Sequence, residues 1–245
     1  MMREIVVTGG GTGIGYACAA AFVAQGDRVT ITGRREHVLK EAAERLGGPD
    51  RVDFVAFNAA NPVAVGEALV RLPGRVDVLV NNAGGNTNLD RATAGDDLMD
   101  VAESWWANLN ANLMSAVLVT SALIPRMADQ GRIVTIGSIA ARGTGSGSYG
   151  AAKAAVEAWT ADLAAELGPR GITANVVSPG LVVDTGFFRG RLTEEGVRRR
   201  VEGTRNGRAG TPEDVAQTVR FVSSPEARHL TGQVVHVNGG AYLGR

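Results

Sequence analysis

Glu4-Ile5-Val6-Val7-Thr8-Gly9-Gly10-Gly11-Thr12-Gly13-Ile14-Gly15 sets the fold: a short β-branched run breaks into glycines and then enters the alanine-rich stretch 13–25. The apolar run reads as a strand and the alanine-rich run as a helix. Glycines between them permit a tight turn and close backbone approach. The helix start adds unpaired N–H groups and a favourable dipole, which together suit a pyrophosphate. Gly9, Gly11, Thr12, Gly13, Ile14 and Gly15 are the candidate contacts. A plain glycine turn is the competing reading, and the surrounding chain decides between them.

That chain keeps alternating. Strands are expected at 4–8, 28–32, 52–57, 76–80, 132–137, 172–177 and 234–237, and helices at 13–25, 36–46, 62–71, 98–129, 148–168, 193–203 and 212–223. Alternation of this kind predicts a parallel sheet with helices on both faces. The run Val76-Asp77-Val78-Leu79-Val80 suits a strand covered on both sides. The expected fold class is α/β, a single-domain Rossmann fold over residues 1–245 with a doubly wound seven-stranded parallel sheet. Glycine-rich or polar segments at 9–15, 81–97, 138–148 and 178–192 follow the strands, where such a sheet binds ligands. Segment 181–210, with Phe187 and Phe188, is the least regular and reads as a lid.

Composition excludes several classes. Lys plus Arg and Asp plus Glu both number 25, so no attraction to nucleic acid or an anionic membrane is expected. The single cysteine, Cys18, forbids an internal disulfide and reads as a small core residue. His37, His229 and His236 are scattered, and no metal site is expected. The start runs directly into strand 4–8, and no apolar run approaches membrane-spanning length by eye. The expectation is a cytoplasmic protein without a signal peptide.

The end of the second strand reads Thr30-Ile31-Thr32-Gly33-Arg34-Arg35. An NAD site wants an acid there for the ribose hydroxyls. Here glycine and two arginines stand instead, and guanidinium groups bind phosphate. The expected cofactor is therefore NADP(H), with Arg34 the leading contact and Arg35 second. NAD(H) stays open, because both arginines could be solvated starts of the next helix and Glu36 could offset them.

Lysine occurs only at 40 and 153, and tyrosine only at 16, 149 and 242. Tyr149 and Lys153 lie one helical turn apart on one face. A cation near a phenol favours phenolate and lowers the tyrosine pKa, which suits proton transfer near neutrality. A chance pair on an exposed helix is the alternative.

Taken in order, Thr8-Gly9-x-x-x-Gly13-x-Gly15, Asn81-Asn82-Ala83-Gly84, Asn112, Ser138, Tyr149-x-x-x-Lys153, Pro179-Gly180 and the closing Thr231 to Gly240 run resemble the short-chain dehydrogenase/reductase family, in its compact oxidoreductase branch. The layout is similar to that of 3-oxoacyl-[acyl-carrier-protein] reductases. The resemblance implies a carbonyl reductase or alcohol dehydrogenase in which Asn112, Ser138, Tyr149 and Lys153 are catalytic. Tyr149 would exchange a proton with the substrate oxygen, Ser138 would hydrogen-bond that oxygen, and Asn112 would hold a water leading to Lys153. Lys153 would grip the nicotinamide ribose and depress the Tyr149 pKa, so both residues of the pair count as cofactor contacts. Asn81, Ala83 and Gly84 would pass under the adenosine side. Pro179, Gly180 and Thr185 would meet the nicotinamide.

This chain departs from the family in three places. Asn58 stands where an Asp usually accepts from the adenine amino group. The gap from Ser138 to Tyr149 is short, which makes Ser146 and Ser148 rivals to Ser138. Thr185 comes one residue late. The expected substrate is a small carbonyl or alcohol, such as a ketone, sugar or secondary-metabolite carbonyl, with a 3-oxoacyl chain on acyl carrier protein equally open. For carrier docking Arg170 fits one expected basic position, while Arg126 and Arg132 are only near the other. The insert 85–100 could shape a specific pocket. A non-catalytic NADP(H) sensor is the rival from another class. The resemblance implies a homotetramer or homodimer, with Trp105, Trp106 and Trp159 as interface candidates.

Overall fold

The computed structural model describes residues 2–90 and 97–244. Strands β1 (Glu4–Thr8), β2 (Arg28–Gly33), β3 (Val52–Ala56), β4 (Val76–Asn81), β5 (Met127–Ile136), β6 (Thr173–Pro179) and β7 (Val234–Val237) form one sheet in the order β3-β2-β1-β4-β5-β6-β7. Every pairing is parallel. The chain leaves the sheet after β3 and re-enters at β4, on the other side of β1. The carboxyl ends of β1 and β4 are thus the switch point at which such sheets hold ligands.

Side-chain alternation along the strands builds a core on each face. In β1, Ile5 and Val7 join Phe22 of α1 (Gly13–Ala24), Leu39 of α2 (Glu36–Arg45) and Val219 of α8 (Pro212–Val222). Val6 turns the other way, into the cluster of Val65 from α3 (Pro62–Ala68), Leu123 from α5 (Ser115–Leu123) and Leu163 from α6 (Gly147–Leu167). Residues as fully buried as Phe22 or Ile133 each contribute about 1.5–3 kcal/mol. Cys18 is buried in the first of these cores.

The helix expected over 98–129 differs in three ways. It divides into α4 (Leu98–Leu109), a π-helical turn at Asn110–Met114, and α5. Pro125 then ends it in a short 3₁₀ turn, because proline lacks the N–H and crowds the preceding turn. β5 accordingly starts at Met127, earlier than expected, and pairs with β4 across a bulge between Val76 and Val78. Against the expectation from sequence, the run Leu98–Arg126, 29 residues, contains an 18-residue stretch of mean hydropathy 1.4 and is long and apolar enough to cross a membrane. In the fold it carries the buried Asn108 and Asn112, and it packs on α3 and α6. The remaining helix, α7 (Glu194–Glu202), lies within the expected lid.

Candidate active site

The loops after β1 and β4 are stitched together by side chains. Thr8, 1% exposed, accepts at Oγ1 from the N–H groups of Asn82 and Ala83, each at 3.0 Å. Asn82 Nδ2 donates to the carbonyls of Thr8 at 3.0 Å and Gly9 at 3.1 Å. Gly9 sits at φ +65°, and a side chain on Gly15 would run into the Gly9 carbonyl and Asn82 Nδ2. Thr12 precedes α1 in extended conformation, with no side-chain cap and no acid in the helix's first turn. The first-turn N–H groups are therefore left to an anion, and the glycine cradle fits a pyrophosphate. Asn82 and Thr8 are the residues that sequence reasoning passed over. Their signal was their place inside the quoted motifs.

The Asn81 side chain donates to Thr120 Oγ1 at 2.8 Å, and the residue is buried, so its contact with the adenosine side would come from its backbone. Ala83 and Gly84 follow it at the open side of the switch point. At the end of β2, Gly33 leads to exposed Arg34 and Arg35, whose guanidinium groups have no ion-pair partner among the described residues. Asn58 is exposed and accepts the Ala60 N–H at 3.1 Å, so its second lone pair remains for a ligand donor.

Ser138 follows β5, and its Oγ accepts from the Ala140 N–H at 3.1 Å in the first turn of a 3₁₀ segment. Tyr149 and Lys153 stand in the first turns of α6, both buried. Lys153 Nζ donates to the Ile136 carbonyl at 2.8 Å and lies 5.9 Å from the Tyr149 ring centre. Burial pushes the Tyr149 phenol up to about 12, against which the Ser138 hydroxyl acts to lower it. Burial also pushes the Lys153 ammonium down to about 8. In the chain without cofactor, desolvation of the phenol sets the net direction, and the tyrosine is protonated near neutrality.

Asn112 lies in the π turn, and its side chain is bonded through both its nitrogen and its oxygen. Nδ2 donates to Gly85 O at 2.9 Å and Asn108 O at 3.0 Å, and Oδ1 accepts from Gly85 N–H at 3.0 Å. It pins the loop after β4, so a water toward Lys153 would have to use a backbone carbonyl of the turn. The serine rivals fall away. Ser146 pairs with Thr144 on the outside, and buried Ser148 is bonded to Asn88 and Asn108 on the α4 side. Ser138 alone stands beside Tyr149.

Pro179 ends β6, and Gly180 N–H donates to Val237 O at 3.1 Å. Thr185 lies against Gly13 at the start of α1, so its late place in sequence still brings it to the cradle. Phe187 follows, with its ring centre 5.8 Å from that of Tyr149 and 5.0 Å from that of Phe188. The far end of the lid is tied down by Arg205 and Asn206, whose N–H groups both donate to the Gly239 carbonyl.

The three candidate docking arginines are engaged within the chain. Arg170 bonds Asp129 and the carbonyls of Ile124 and Met127. Arg126 donates to the carbonyls of Leu69, Leu72 and Pro73. Arg132 donates to those of Ser224, Gln130 and Gly131. Of the candidate interface tryptophans, Trp105 and Trp106 are exposed, whereas Trp159 packs against the core under α6.

Comparison with known proteins agrees with this geometry. A family model described as enoyl-(acyl carrier protein) reductase matches residues 9–242. The short-chain reductase protein NovJ of Streptomyces niveus is 39% identical, over 96% of this chain and 92% of its own. The 3-oxoacyl-[acyl-carrier-protein] reductase FabG of Vibrio cholerae is 34% identical, over 98% of both. A blue fluorescent protein from a metagenomic library, solved with NADPH, superposes at TM-score 0.84 with 32% identity over 98% of both chains. A 3-oxoacyl-[acyl-carrier protein] reductase from Brucella melitensis, solved with bound NAD, superposes at TM-score 0.84 with 29% identity, over 98% of this chain and 91% of that one. With a stitched switch point, a glycine cradle and a buried Tyr–Lys pair already in place, these matches assign the chain: it belongs to the short-chain dehydrogenase/reductase family, oxidoreductases that act on C=O and CH–OH groups.

Proposed function

We propose that the protein is an NADP(H)-dependent reductase of a small-molecule carbonyl. The observation that carries this reading is the Tyr149 phenol, buried and protonated, beside the Ser138 hydroxyl near the glycine cradle. The nicotinamide supplies a hydride when bound. Tyr149 gives its phenolic proton to the substrate oxygen; burial raises its pKa and so keeps it in the protonated form that reduction starts from. Ser138 donates a hydrogen bond to that oxygen as negative charge develops there. Lys153 keeps one N–H on Ile136 O and has two more for ribose hydroxyls. The first-turn amides of α1 and the Gly9–Gly15 cradle hold the pyrophosphate, and Thr185 approaches from the nicotinamide side.

The preference for NADP(H) over NAD(H) rests on Arg34 and Arg35, exposed and unopposed by an acid at the end of β2. The relative solved with NADPH supports it; the one solved with NAD keeps NAD(H) as the alternative. A 3-oxoacyl thioester on a carrier protein is the second substrate reading, favoured by the FabG relatives. Against it, Arg126, Arg132 and Arg170 are all engaged, and Asp129, with its side chain 77% exposed, puts a negative charge where docking needs a positive one. A homodimer or homotetramer built on α4 is the proposed assembly, with Trp105 and Trp106 exposed on that helix.

The test is NADPH oxidation against small ketones, aldehydes and 3-oxoacyl thioesters, with Tyr149→Phe as control. Turnover of a small carbonyl, lost in Tyr149→Phe with NADPH binding intact, is the expected result. Undiminished turnover in that variant would sink the mechanism, and turnover of carrier thioesters alone would sink the substrate class.

A further inference from the structure

The segment after β4, helix α4 and the first turn of α6 meet in a closed set of side-chain hydrogen bonds. Asn108, with no exposed surface, donates from Nδ2 to Ser148 Oγ at 2.9 Å and to Asn88 Oδ1 at 2.9 Å. Its own Oδ1 accepts from the Thr87 N–H at 3.1 Å. Asn88 Nδ2 donates to Ser148 Oγ at 3.3 Å, and Asn88 Oδ1 also accepts from Ser104 Oγ at 2.8 Å. Ser148 Oγ, in a residue 3% exposed, donates to the Ser104 carbonyl at 3.4 Å. Each member thus holds at least two others.

A saturated network in a buried setting fixes relative position more than it adds stability, since apolar residues of the same volume would pack as well. What it fixes here is specific. Ser148 is the residue before Tyr149, and the hydroxyl is gripped from two elements at once. On the other side of Tyr149, Gly150 lies close against the Ala140 carbonyl. The tyrosine is therefore held between a polar clamp and a backbone contact, although the stretch from Gly143 to Gly147 contains three glycines at positive φ and has no such restraint of its own.

We propose that Asn88, Asn108 and Ser148 are positioning residues that hold the first turn of α6, and with it the Tyr149 hydroxyl, in register with Ser138. This rests on the reading of Tyr149 as proton donor. Among the described residues the network touches neither the cradle nor β2, so its first effect falls on the proton-transfer geometry rather than on the pyrophosphate and adenosine contacts.

The test uses Ser148→Ala and Asn108→Leu, the first deleting one hydroxyl and the second replacing the amide by a group of similar volume. Two readouts are taken. Steady-state kinetics with the small carbonyl should show kcat reduced about 10-fold or more in both variants, with the NADPH dissociation constant within about twofold of wild type. Because the chain has only three tyrosines, fluorine NMR of 3-fluorotyrosine-labelled protein gives one line each for Tyr16, Tyr149 and Tyr242. The Tyr149 line, identified by its loss in Tyr149→Phe, should shift or broaden alone. Unchanged kcat with an unmoved Tyr149 line overturns the proposal, as does equal movement of all three lines, which marks a global structural role. If wild type reduces no carbonyl while the Tyr149 line still moves alone, the proposed function falls and the positioning role stands.

Discussion

Gly150 faces the Ala140 carbonyl so closely that a methyl group built on it would lie 2.7 Å from that oxygen. The contact lets the first turn of α6 nest on the 3₁₀ segment after Ser138, and it explains how a short connection still brings Tyr149 to Ser138. Neither partner is a flexible side chain, so neither can yield cheaply.

Gly150→Ala is therefore expected to cost about 1–3 kcal/mol, the range for overpacking at a tight site. Its larger effect should be on kcat, because relief requires moving the turn that carries Tyr149. Urea unfolding and steady-state kinetics check this together. A variant with wild-type kcat would show that the close approach is not needed for the Tyr149–Ser138 geometry.

The burial of Lys153 makes a stability prediction that needs no substrate. Its pKa falls from 10.5 to about 8 in the folded chain. The folded-state value is the lower one, so between about 8 and 10.5 the unfolded chain binds more protons and stability rises with pH. Below 8 both states are charged and the burial penalty is present in full. The stability of wild type minus that of Lys153→Met should increase from pH 8 toward 10, by up to roughly 3 kcal/mol over the whole window. Tyr149, pushed up from 10.0 to about 12, acts with the opposite sign but only above pH 10. Denaturant titrations of cofactor-free protein from pH 7 to 10 provide the check, and a flat difference would refute the assignment.

Much of this was legible in the chain. Short β-branched runs and alanine-rich helices separated by glycines gave all seven strands and the doubly wound class, because each rests on local pattern. The end of the long helix was misplaced: Pro125 is visible as a stop, but Met127-Ala128-Asp129-Gln130-Gly131 has no strand pattern of its own and joins β5 only through the pairing of Met127 with Val76. Candidate site residues inside motifs were named by order and spacing. Their side-chain directions were not: Asn81 and Asn112 serve loop and helix contacts, which only the packing around Thr120 and Gly85 determines. The net direction of the Tyr149 shift in the chain without cofactor was not legible for the same reason. Spacing shows a nearby cation, whereas burial is a property of the whole fold.

Arg34 and Arg35 give a cofactor prediction that separates two ligands differing by one phosphate. Charge-assisted hydrogen bonds to a phosphate are worth about 1.5–3 kcal/mol each, or roughly 10- to 150-fold in affinity. Arg34→Ala should weaken NADPH by a factor in that range and leave NADH within about twofold. Arg35→Ala should act in the same direction with a smaller effect. Fluorescence titration with both cofactors measures this, and the NADPH loss should shrink at high salt because the site is exposed. Equal losses for the two cofactors would remove the basis for NADP(H) preference.

Phe187 closes the site from the lid side. Its ring packs on Tyr149 and on Phe188, and Arg200 of α7 lies over the Phe188 ring at 5.6 Å, so the lid is held by aromatic contacts. Asp184 at φ +57° and Arg189 at φ +51° bracket this stretch, and such backbone conformations are costly outside glycine. The Phe187–Phe188 turn is thus strained on both flanks and held by its rings, an arrangement that suits the proposed role of the segment as a lid over substrate. Phe187→Ala removes the contact that covers Tyr149. It should raise KM for the carbonyl about 10-fold or more, leave NADPH affinity within about twofold, and lower the Tyr149 pKa, because exposure relieves the desolvation that raises it. In reduction a lower phenol pKa moves the alkaline fall of kcat to lower pH. A pH profile of kcat from 6 to 11 for both proteins tests the point, and an unmoved alkaline limb together with unchanged KM would show that Phe187 does not cover the proton donor.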